Sequence, residues 1–304
     1  MEEPKVVRFY LEPSLRESAQ AGEHNFISKI VGVLEAGDFR VEFKANTTAE
    51  RVKAPMRAGF AMFHMEEPTH DRALTMRRVY HYPFWQIERS GKRWDWTVAK
   101  SAFDSTQVDR KEARRFATYW RARLFADVGE ISRDGFVYVP LQGRLQEKRS
   151  FQTCSPLEMI DHVLEQDPAR RVIATLHPNE TYGADDMAAL EAMIARHPRL
   201  EVRMGDMAEM LRGCDYVVTQ NSSAGFNGYF FGKPLILFAE VDFHHIAAKV
   251  SDLGIAGAFE AVRDMTPDYE GYLWWFWQQM SINAGRSEAS EKIAQALRRG
   301  GWPI

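Results

Sequence analysis

The chain has 304 residues, 45% of them hydrophobic, and a formal net charge of −3 with acidic and basic side chains interspersed. That length and apolar content suffice for a large core and predict two domains. Because there is no basic tail or stripe, a nucleic acid polymer is not expected as a partner. The two cysteines, Cys154 and Cys214, have neither disulfide nor metal-binding spacing, which favours a reducing, cytoplasmic location.

The sequence has no pattern typical of secretion or membrane insertion. Its start, MEEPKVVRFYLEP, is acidic and lacks the apolar core of a signal peptide. No apolar run approaches the roughly 20 residues that span a bilayer. The aromatic stretch YLWWFWQQM, residues 272–280, either packs in the interior or touches a membrane surface, and we favour burial.

Residues 1–134 are predicted to form a smaller, divergent α/β domain. The strand patterns VVRFYLE and RVEFKA flank the helix pattern NFISKIVGVLEAG, and AGFAMFHM is a third strand pattern. RKEARRFATYWRARLF is an amphipathic helix pattern. The segment RVYHYPFWQIERSGKRWDW is dense in Tyr, Trp and Arg, so it is either a surface on which sugars stack or a core strand with a basic turn. This half is short for a complete domain.

Residues 135–267 are predicted to form a Rossmann-like domain, because strand and helix patterns alternate there. The strand patterns are FVYVPLQ, RRVIATLHP, LEVRM, DYVVTQN and PLILFA; the helix patterns between them are SPLEMIDHVLEQ, GADDMAALEAMIARHP, MAEMLRGC and SSAGFNGYFFG. Ser155 with Glu158 is typical of a capping box, and Pro156 suits the first helical position. The helices of residues 268–304 are expected to pack back across the domains.

The first polar cluster at a strand end is TLHPNE. Pro178 restricts His177 to extended geometry, so the strand should run up to the histidine and leave an imidazole at the rim of the sheet. The alternative is that His177 only bonds a loop carbonyl.

The second cluster, QNSSAGF, lies where a strand gives way to a helix. Free backbone N–H groups at a helix start bind anions, and Ser222 and Ser223 add hydroxyl donors. Gly225 and Gly228 would let a ligand or the neighbouring strand approach closely. The alternative is simple N-capping by Asn221 or Ser222.

Read together, VPLQ, SFQTCSPLEMIDHVL, HPNE and VVTQNSSAGFNGYFFGKPLILF resemble the donor half of bacterial capsule polysaccharide glycosyltransferases, and most closely the Kdo transferases that use CMP-Kdo. The resemblance covers residues 137–246. It implies an α/β, GT-B-like fold of two Rossmann-like domains whose parallel sheets face a cleft. The nucleotide sugar would bind the C-terminal domain, and a glycan or glycolipid acceptor would bind the N-terminal one.

The resemblance also implies roles for individual residues. His177 would contact the donor phosphate and act in catalysis, and Glu180 would bond ribose or orient the imidazole. Donor nucleotide and phosphate would be bound by Gln142, His177, Pro178, Glu180, Asn221, Ser222, Ser223, Ala224 and Gly225. These groups would stabilise the departing CMP. No Asp-x-Asp element or His/Cys ligand spacing is present, so we predict no metal and no cofactor beyond the nucleotide-sugar donor.

An inverting transferase also needs a base that deprotonates the acceptor hydroxyl. The resemblance ends before the N-terminal half, where FHMEEPTHD and AGEHNF are the candidate segments; we predict the base at Glu66 or Glu67. The expected function is transfer of a sugar such as Kdo in capsule or surface polysaccharide synthesis, in the cytoplasm, with peripheral contact to the inner membrane or to assembly proteins. Two alternatives stay open, a UDP-sugar epimerase and a non-catalytic nucleotide-sugar or glycan-binding module.

Overall fold

The computed structural model describes residues 3–304 and divides into two compact units. The first unit consists of the chain up to Ser101 together with Phe276–Ile304, and the second consists of Ala102–Trp275. These bounds differ from the predicted ones at 134 and 267. We describe each unit by itself.

The N-terminal segment carries five strands and four helices of the first unit. In chain order they are β1 (Val6–Leu11), α1 (Pro13–Gln20), α2 (Asn25–Ala36), β2 (Arg40–Ala45), α3 (Thr48–Lys53), β3 (Phe60–His64), β4 (Ala73–Arg78), β5 (Phe84–Glu88) and α4 (Thr97–Lys100). The sequence patterns predicted β1, α2, β2 and β3. In α2, the buried residues Phe26, Ile27, Ile30 and Leu34 lie on one face at helical spacing.

The second unit alternates helices and strands from its first helix to β10. Its elements are α5 (Arg110–Leu124), β6 (Phe136–Pro140), α6 (Pro156–Gln166), β7 (Arg171–Leu176), α7 (Ala184–Arg196), β8 (Leu200–Met204), α8 (Met207–Gly213), β9 (Tyr216–Thr219), α9 (Ser223–Gly228), β10 (Leu235–Leu237), β11 (Ala248–Lys249), α10 (Val250–Ala261) and α11 (Tyr269–Trp274). The capping box at α6 is confirmed: Ser155 Oγ accepts from the Glu158 N–H, and the Glu158 carboxylate accepts from the Ser155 N–H.

The last segment returns to the first unit, as β12 (Ile282–Asn283) and α12 (Ala289–Arg299). β12 pairs antiparallel with β5, and α12 packs against α2. Trp302 lies against Phe60 with ring centroids 5.3 Å apart. This pairing explains why residues 276–304 group with the N-terminal segment, and it supplies the strand and helix that the N-terminal half lacks. On the other side, α5 packs on α11 and therefore belongs to the second unit.

Strand order locates a crevice in each sheet. The first sheet has the order β2-β1-β3-β4-β5-β12, in which β1 to β4 are parallel, and the second is all parallel in the order β8-β7-β6-β9-β10-β11. β1 connects to β2 on one side and β3 connects to β4 on the other. In the second sheet, β6 and β9 diverge in the same way. When the loops after two adjacent parallel strands run in opposite directions, they separate at the carboxyl ends of those strands. The gap between them is a ligand crevice, called the topological switch point.

The aromatic stretch 272–280 is mostly interior, so the burial interpretation is confirmed. Tyr272, Phe276 and Trp277 are fully buried, and Trp277 stacks on Phe84 with centroids 4.4 Å apart. Across residues 3–304, no helix combines the length and apolar character needed to cross a membrane.

Candidate functional site

The switch point of the second sheet has polar residues on both of its strands. Gln142 follows β6, and Asn221 and Ser222 follow β9, the next strand over. His177 directly follows β7, on the other side of β6. Neighbouring strands in a sheet lie about 4.8 Å apart, so β7 and β9, which have β6 between them, lie about 10 Å apart. His177 and Ser222 follow these two strands at the same edge of the sheet. They can therefore approach one ligand from opposite sides.

His177 is exposed, and its ring is oriented by the loop that follows β7. Nδ1 accepts a hydrogen bond from the Asn179 N–H (3.2 Å), and the His177 N–H donates to Tyr182 Oη (2.7 Å). Since Nδ1 accepts, the neutral ring carries its proton on Nε2, where it can donate to an anion. The suggestion that Glu180 orients the imidazole is not supported, because Asn179 does so. The Glu180 carboxylate instead lies so close to Gly143 that a Cβ there would be 2.6 Å from Oε2.

The start of α9 differs from the predicted nest of free N–H groups. Ser222 is the N-cap, and its Oγ accepts from the Ala224 N–H (3.3 Å) while its backbone carbonyl accepts from the Gly225 N–H (3.0 Å). Those two amides are already paired. Anion contacts at this strand end would therefore come from the hydroxyl protons of Ser222 and Ser223, of which Ser223 is exposed.

The two glycines of α9 differ in how tightly they pack, and Gly225 is the one that the close approach to the sheet requires. A Cβ on Gly225 would lie 3.1 Å from Leu235 Cδ1 and 3.3 Å from Thr219 Cγ2, whereas one on Gly228 would meet nothing closer than 3.5 Å. Gly225 thus lets the helix approach β9 and β10 closely. At Gly225 the structure therefore supports close approach of the neighbouring strands, which was one of the two alternatives, the other being close approach of a ligand.

We expect Gly225→Val to lower the free energy of unfolding by about 1–3 kcal/mol, because its side chain overpacks the space beside Leu235. Gly228→Ala is the matched control. It should leave stability unchanged or raise it by up to about 1 kcal/mol through helix propensity. Denaturant unfolding of both variants checks this, and equal losses at the two positions would contradict it.

A loop, residues 141–155, crosses the carboxyl edge of the second sheet. The Leu141 N–H donates to the Thr175 carbonyl of β7, and the Thr153 N–H donates to the Phe238 carbonyl after β10. Gln220, after β9, donates through Nε2 to the Cys154 carbonyl (3.0 Å). Hydrogen bonds therefore hold the loop to the carboxyl ends of β7, β9 and β10, and the loop passes over the crevice.

Within residues 3–304, several buried polar atoms that have no hydrogen-bond partner lie in the loop 141–155 or directly after β9. They include Gln142 Oε1, Nε and Nη2 of Arg149, Gln152 Nε2 and Gln220 Oε1. Buried polar groups in native proteins are normally paired with protein, water or ligand. Gln142 and Gln220 follow the two strands of the switch point, and Arg149 and Gln152 lie on the loop that crosses it, so together these side chains indicate a polar ligand site.

Arg149 is the residue that the sequence analysis missed. Its guanidinium lies over the Phe151 ring, 5.0 Å from the centroid, and no carboxylate within residues 3–304 forms an ion pair with it. Burial, and next the positive charge of Arg144, lower the pKa of the Arg149 guanidinium. In the sequence the residue sits in the run QEKRS, which has the appearance of a solvated loop; only the fold shows that two of its nitrogens are buried.

The predicted bases Glu66 and Glu67 are both engaged in the first unit. Glu66 Oε1 pairs with Arg51 Nη1 at 2.5 Å. Glu67 Oε2 accepts from the Gly91 N–H at 2.6 Å, and Ser90 Oγ lies 3.2 Å from Glu67 Oε1, so Glu67 holds the turn after β5. Their assignment as the base stays a prediction.

Within residues 3–304, no three His, Cys, Asp or Glu side chains are grouped so that they could hold a metal ion.

No protein-family model matches the sequence, and no curated protein matches it. Among solved structures, the chain is similar to Thermosulfurimonas dismutans KpsC, described as a β-Kdo 2,7-transferase. The two are 12% identical, the alignment covers 90% of this chain and 89% of that one, and the TM-score is 0.54. A T. dismutans KpsC structure described as a β-Kdo 2,4-transferase is also 12% identical over 89% of this chain and 90% of that one, with a TM-score of 0.51.

These two likenesses establish the fold. The chain is α/β with two Rossmann-like units and a GT-B-like fold, so the predicted fold class is confirmed. A UDP-GlcNAc 2-epimerase from Neisseria meningitidis, bound to UDP-GlcNAc, aligns at 10% identity over 97% of this chain and 99% of that one. Its TM-score of 0.35 is too low to carry an argument for or against the epimerase alternative.

Proposed function

We propose that the chain is a glycosyltransferase of capsule or related surface polysaccharide synthesis. It transfers a sugar such as Kdo from a CMP-linked donor to a glycan or glycolipid acceptor. The observation that carries the proposal is the switch point between β6 and β9, where Gln142, Arg149 and Gln220 bring unpartnered buried polar atoms to the edge that also bears His177 and Ser222. The two KpsC structures to which the chain is similar are both described as Kdo transferases, which supports the choice of donor.

The chemistry of the proposed donor site is stabilisation of a leaving phosphate. When the bond between the sugar and CMP breaks, negative charge grows on the phosphate oxygens. His177 Nε2–H, the hydroxyls of Ser222 and Ser223 and the guanidinium of Arg149 are donors for that charge. Donors fixed in advance by the fold stabilise the transition state more than water does; one such donor is worth about 3–4 kcal/mol in well-studied enzymes.

The remaining assignments belong to the same proposal. Glu180, Pro178 and Asn221 line the nucleotide, whereas Ala224 and Gly225 belong to the site indirectly, because their N–H groups are paired with Ser222 and hold that residue in place. Inversion at the anomeric carbon, independence of a metal, and a cytoplasmic location with peripheral contact to the inner membrane or assembly proteins are predictions of the proposed function.

The test is selective binding of CMP. We expect CMP to raise the melting temperature of the protein, since a ligand at 100 times its Kd stabilises the folded state by about 2.7 kcal/mol. UMP and AMP at the same concentration serve as matched nucleotides, and isothermal titration calorimetry gives the Kd of each.

Three outcomes distinguish the candidate functions. Equal shifts with all three nucleotides would remove the support for a CMP donor. Preference for UMP, with epimer formation from a UDP-sugar and no acceptor, would replace the transferase by the epimerase. CMP binding without consumption of CMP-Kdo under any acceptor would leave a binding module, whereas in an enzyme His177→Ala should abolish turnover.

A further inference from the structure

The helix α5 has a one-sided charge. The chain as a whole has 39 basic and 42 acidic residues, which nearly balance. Within α5, by contrast, one acidic residue, Glu112, stands among six basic ones, namely Arg110, Lys111, Arg114, Arg115, Arg121 and Arg123. Such a local excess, in a chain whose net charge is negative, creates a positive field at one place on the surface of the second unit.

The cations of the first two turns lie on the exposed side of α5. The helix packs on α11, and its buried residues recur at helical spacing, namely Ala113, Ala117 and Trp120. On the exposed side, Lys111 and Arg115 lie one turn apart, and Arg110 and Arg114 form a second row beside them. We call these four residues the basic face. The sequence analysis interpreted α5 only as amphipathic and therefore did not identify this face.

Neighbouring carboxylates neutralise little of the basic face. Arg114 Nε lies 3.4 Å from Glu270 Oε2, and both side chains are exposed. The other three cations of the face make no ion pair with any residue from 3 to 304. The nearest carboxylate in the sequence, Asp109, is engaged as the N-cap, where it accepts from the N–H groups of Lys111 (2.8 Å) and Glu112 (2.9 Å). The face thus keeps most of its charge for an external partner.

These cations weaken the helix that carries them. The N-terminus of a helix is the positive end of its dipole, and Arg110 and Lys111 lie in the first turn. Each of them also has a like charge four positions later, at Arg114 and Arg115, a spacing at which like charges destabilise a helix. Sequences break local rules of this kind mainly where function requires it. Folding alone therefore does not account for the basic face.

Further along α5, the exposed side carries no charge. Thr118, Tyr119 and Ala122 are exposed, and Tyr119 is 56% exposed. Arg121 and Arg123 lie over aromatic rings, 5.6 and 5.9 Å from the ring centroids. An exposed tyrosine next to a row of cations, on a helix whose other face is apolar, is typical of a surface that lies on a membrane.

We infer that α5 binds an anionic phospholipid surface, with the basic face at the headgroup phosphates and the Tyr119 ring at headgroup level. The headgroups of a bilayer are spread over a plane, which a straight helix about 22 Å long can follow. A duplex nucleic acid would contact the four cations in the same way, but it offers no interface for the tyrosine ring. The inference gives the expected peripheral membrane contact a place on the chain, and it does not depend on which donor the second unit binds.

The experiment measures co-sedimentation of the full chain with vesicles of phosphatidylcholine that contain roughly one-third phosphatidylglycerol. Vesicles of phosphatidylcholine alone and a duplex DNA, measured by its own titration, are the comparison ligands. We expect the anionic vesicles to bind roughly 10-fold or more tightly than either comparison at about 0.1 M salt, and most of that binding to be lost at about 0.5 M salt. Absence of binding to the anionic vesicles, or equal affinity for DNA, would overturn the inference.

The double variant Lys111→Gln/Arg115→Gln is expected to bind the anionic vesicles roughly 25-fold more weakly, because each cation near an anionic surface contributes about fivefold in affinity. Its melting temperature should equal or exceed that of wild type, since a like-charge pair is removed, which separates lost binding from misfolding. The matched control is Arg196→Gln/Arg263→Gln, which removes two exposed cations of the same unit that contact only backbone carbonyls. It should change the affinity less than about twofold; equal losses in the two double variants would contradict a specific role of α5.

Two further measurements complete the test. Tyr119→Ser should weaken vesicle binding roughly 3- to 10-fold without changing its salt dependence, because the variant removes the ring and no charge; an unchanged affinity would overturn the placement of the ring. Calorimetry with CMP separates this inference from the proposed function, since the α5 variants should bind CMP as wild type does. Vesicle binding without CMP binding in wild type would overturn the proposed function alone, and the reverse result would overturn this inference alone.

Discussion

Arg149→Gln is expected to weaken CMP binding roughly 10- to 100-fold. A hydrogen bond to a charged group contributes about 1.5–3 kcal/mol, and each 1.4 kcal/mol is tenfold in Kd. Arg149 has two buried nitrogens without a partner and an aromatic ring beneath it, which preorganises the guanidinium for an oxyanion. Calorimetry with CMP and with cytidine checks the prediction, and the loss should be confined to CMP.

Arg144→Gln provides the control, because Arg144 lies on the same loop but is exposed and paired with Glu147. It removes the same formal charge and should change the Kd by less than about twofold at 0.15 M salt, where exposed charges are screened. The apo protein should be no less stable with Arg149→Gln, since burial disfavours the guanidinium charge. Equal loss of affinity for CMP in the two variants would mean that Arg149 contributes only its positive charge and makes no direct hydrogen bond to the phosphate.

Asp167→Asn is expected to lower the free energy of unfolding by about 3 kcal/mol. Asp167 is 4% exposed and accepts from Arg170 Nη1 (2.9 Å) and Tyr216 Oη (2.8 Å). Breaking a buried pair generally costs about 3–5 kcal/mol. The low end applies because Arg170 is 34% exposed and keeps its second partner, Asp215. Asp161 lies in α6, the helix that ends just before Asp167, and its side chain is 43% exposed, so Asp161→Asn should stay within about 0.5 kcal/mol of wild type.

The loss at Asp167 should depend on pH. Burial by itself raises the pKa of Asp167, but hydrogen bonds from Tyr216 and Arg170 more than offset it, so the folded-state pKa is lower than the unfolded one. The stabilisation is then fully present above the unfolded pKa, about 4, and is lost as pH falls through the folded value. Urea unfolding should show a constant difference between wild type and Asp167→Asn from pH 5 to 7 that shrinks below about pH 4. A difference that grew towards low pH would contradict the assigned direction.

Local signals in the second unit were strong enough to predict its elements from sequence. The capping box at α6 involves only Ser155 and Glu158, and β9 coincides with a short buried run that is apolar in sequence, so short-range chemistry determines both. β12 could not be predicted, because two residues carry no periodicity and the strand forms only by pairing with β5, some 200 positions earlier.

The residues of the candidate sites also fall into two groups, those with a local sequence signal and those whose position depends on long-range contacts. His177 and Ser222 could be placed at strand ends, since His177 directly follows an apolar run and Ser222 follows another within a few residues. Glu12 Oε2 lies 2.6 Å from His64 Nδ1 although the two residues are 52 positions apart in the sequence, so neither segment alone predicts this contact. The available signal was that each residue closes an apolar strand pattern, but only the strand order shows that β1 and β3 are neighbours. The burial of Arg149 could not be predicted, because it depends on which strand ends the loop 141–155 is hydrogen-bonded to.

The discontinuity of the first unit has a consequence for biosynthesis. Residues 102–275 form one uninterrupted stretch, so that unit has all of its strands before residue 276 is translated. The N-terminal sheet must wait for Ile282 to cover β5 and for Trp302 to cover Phe60. A released chain truncated at residue 280 should thus hold a protease-resistant middle and a digestible beginning, the reverse of the usual N-terminal-first order.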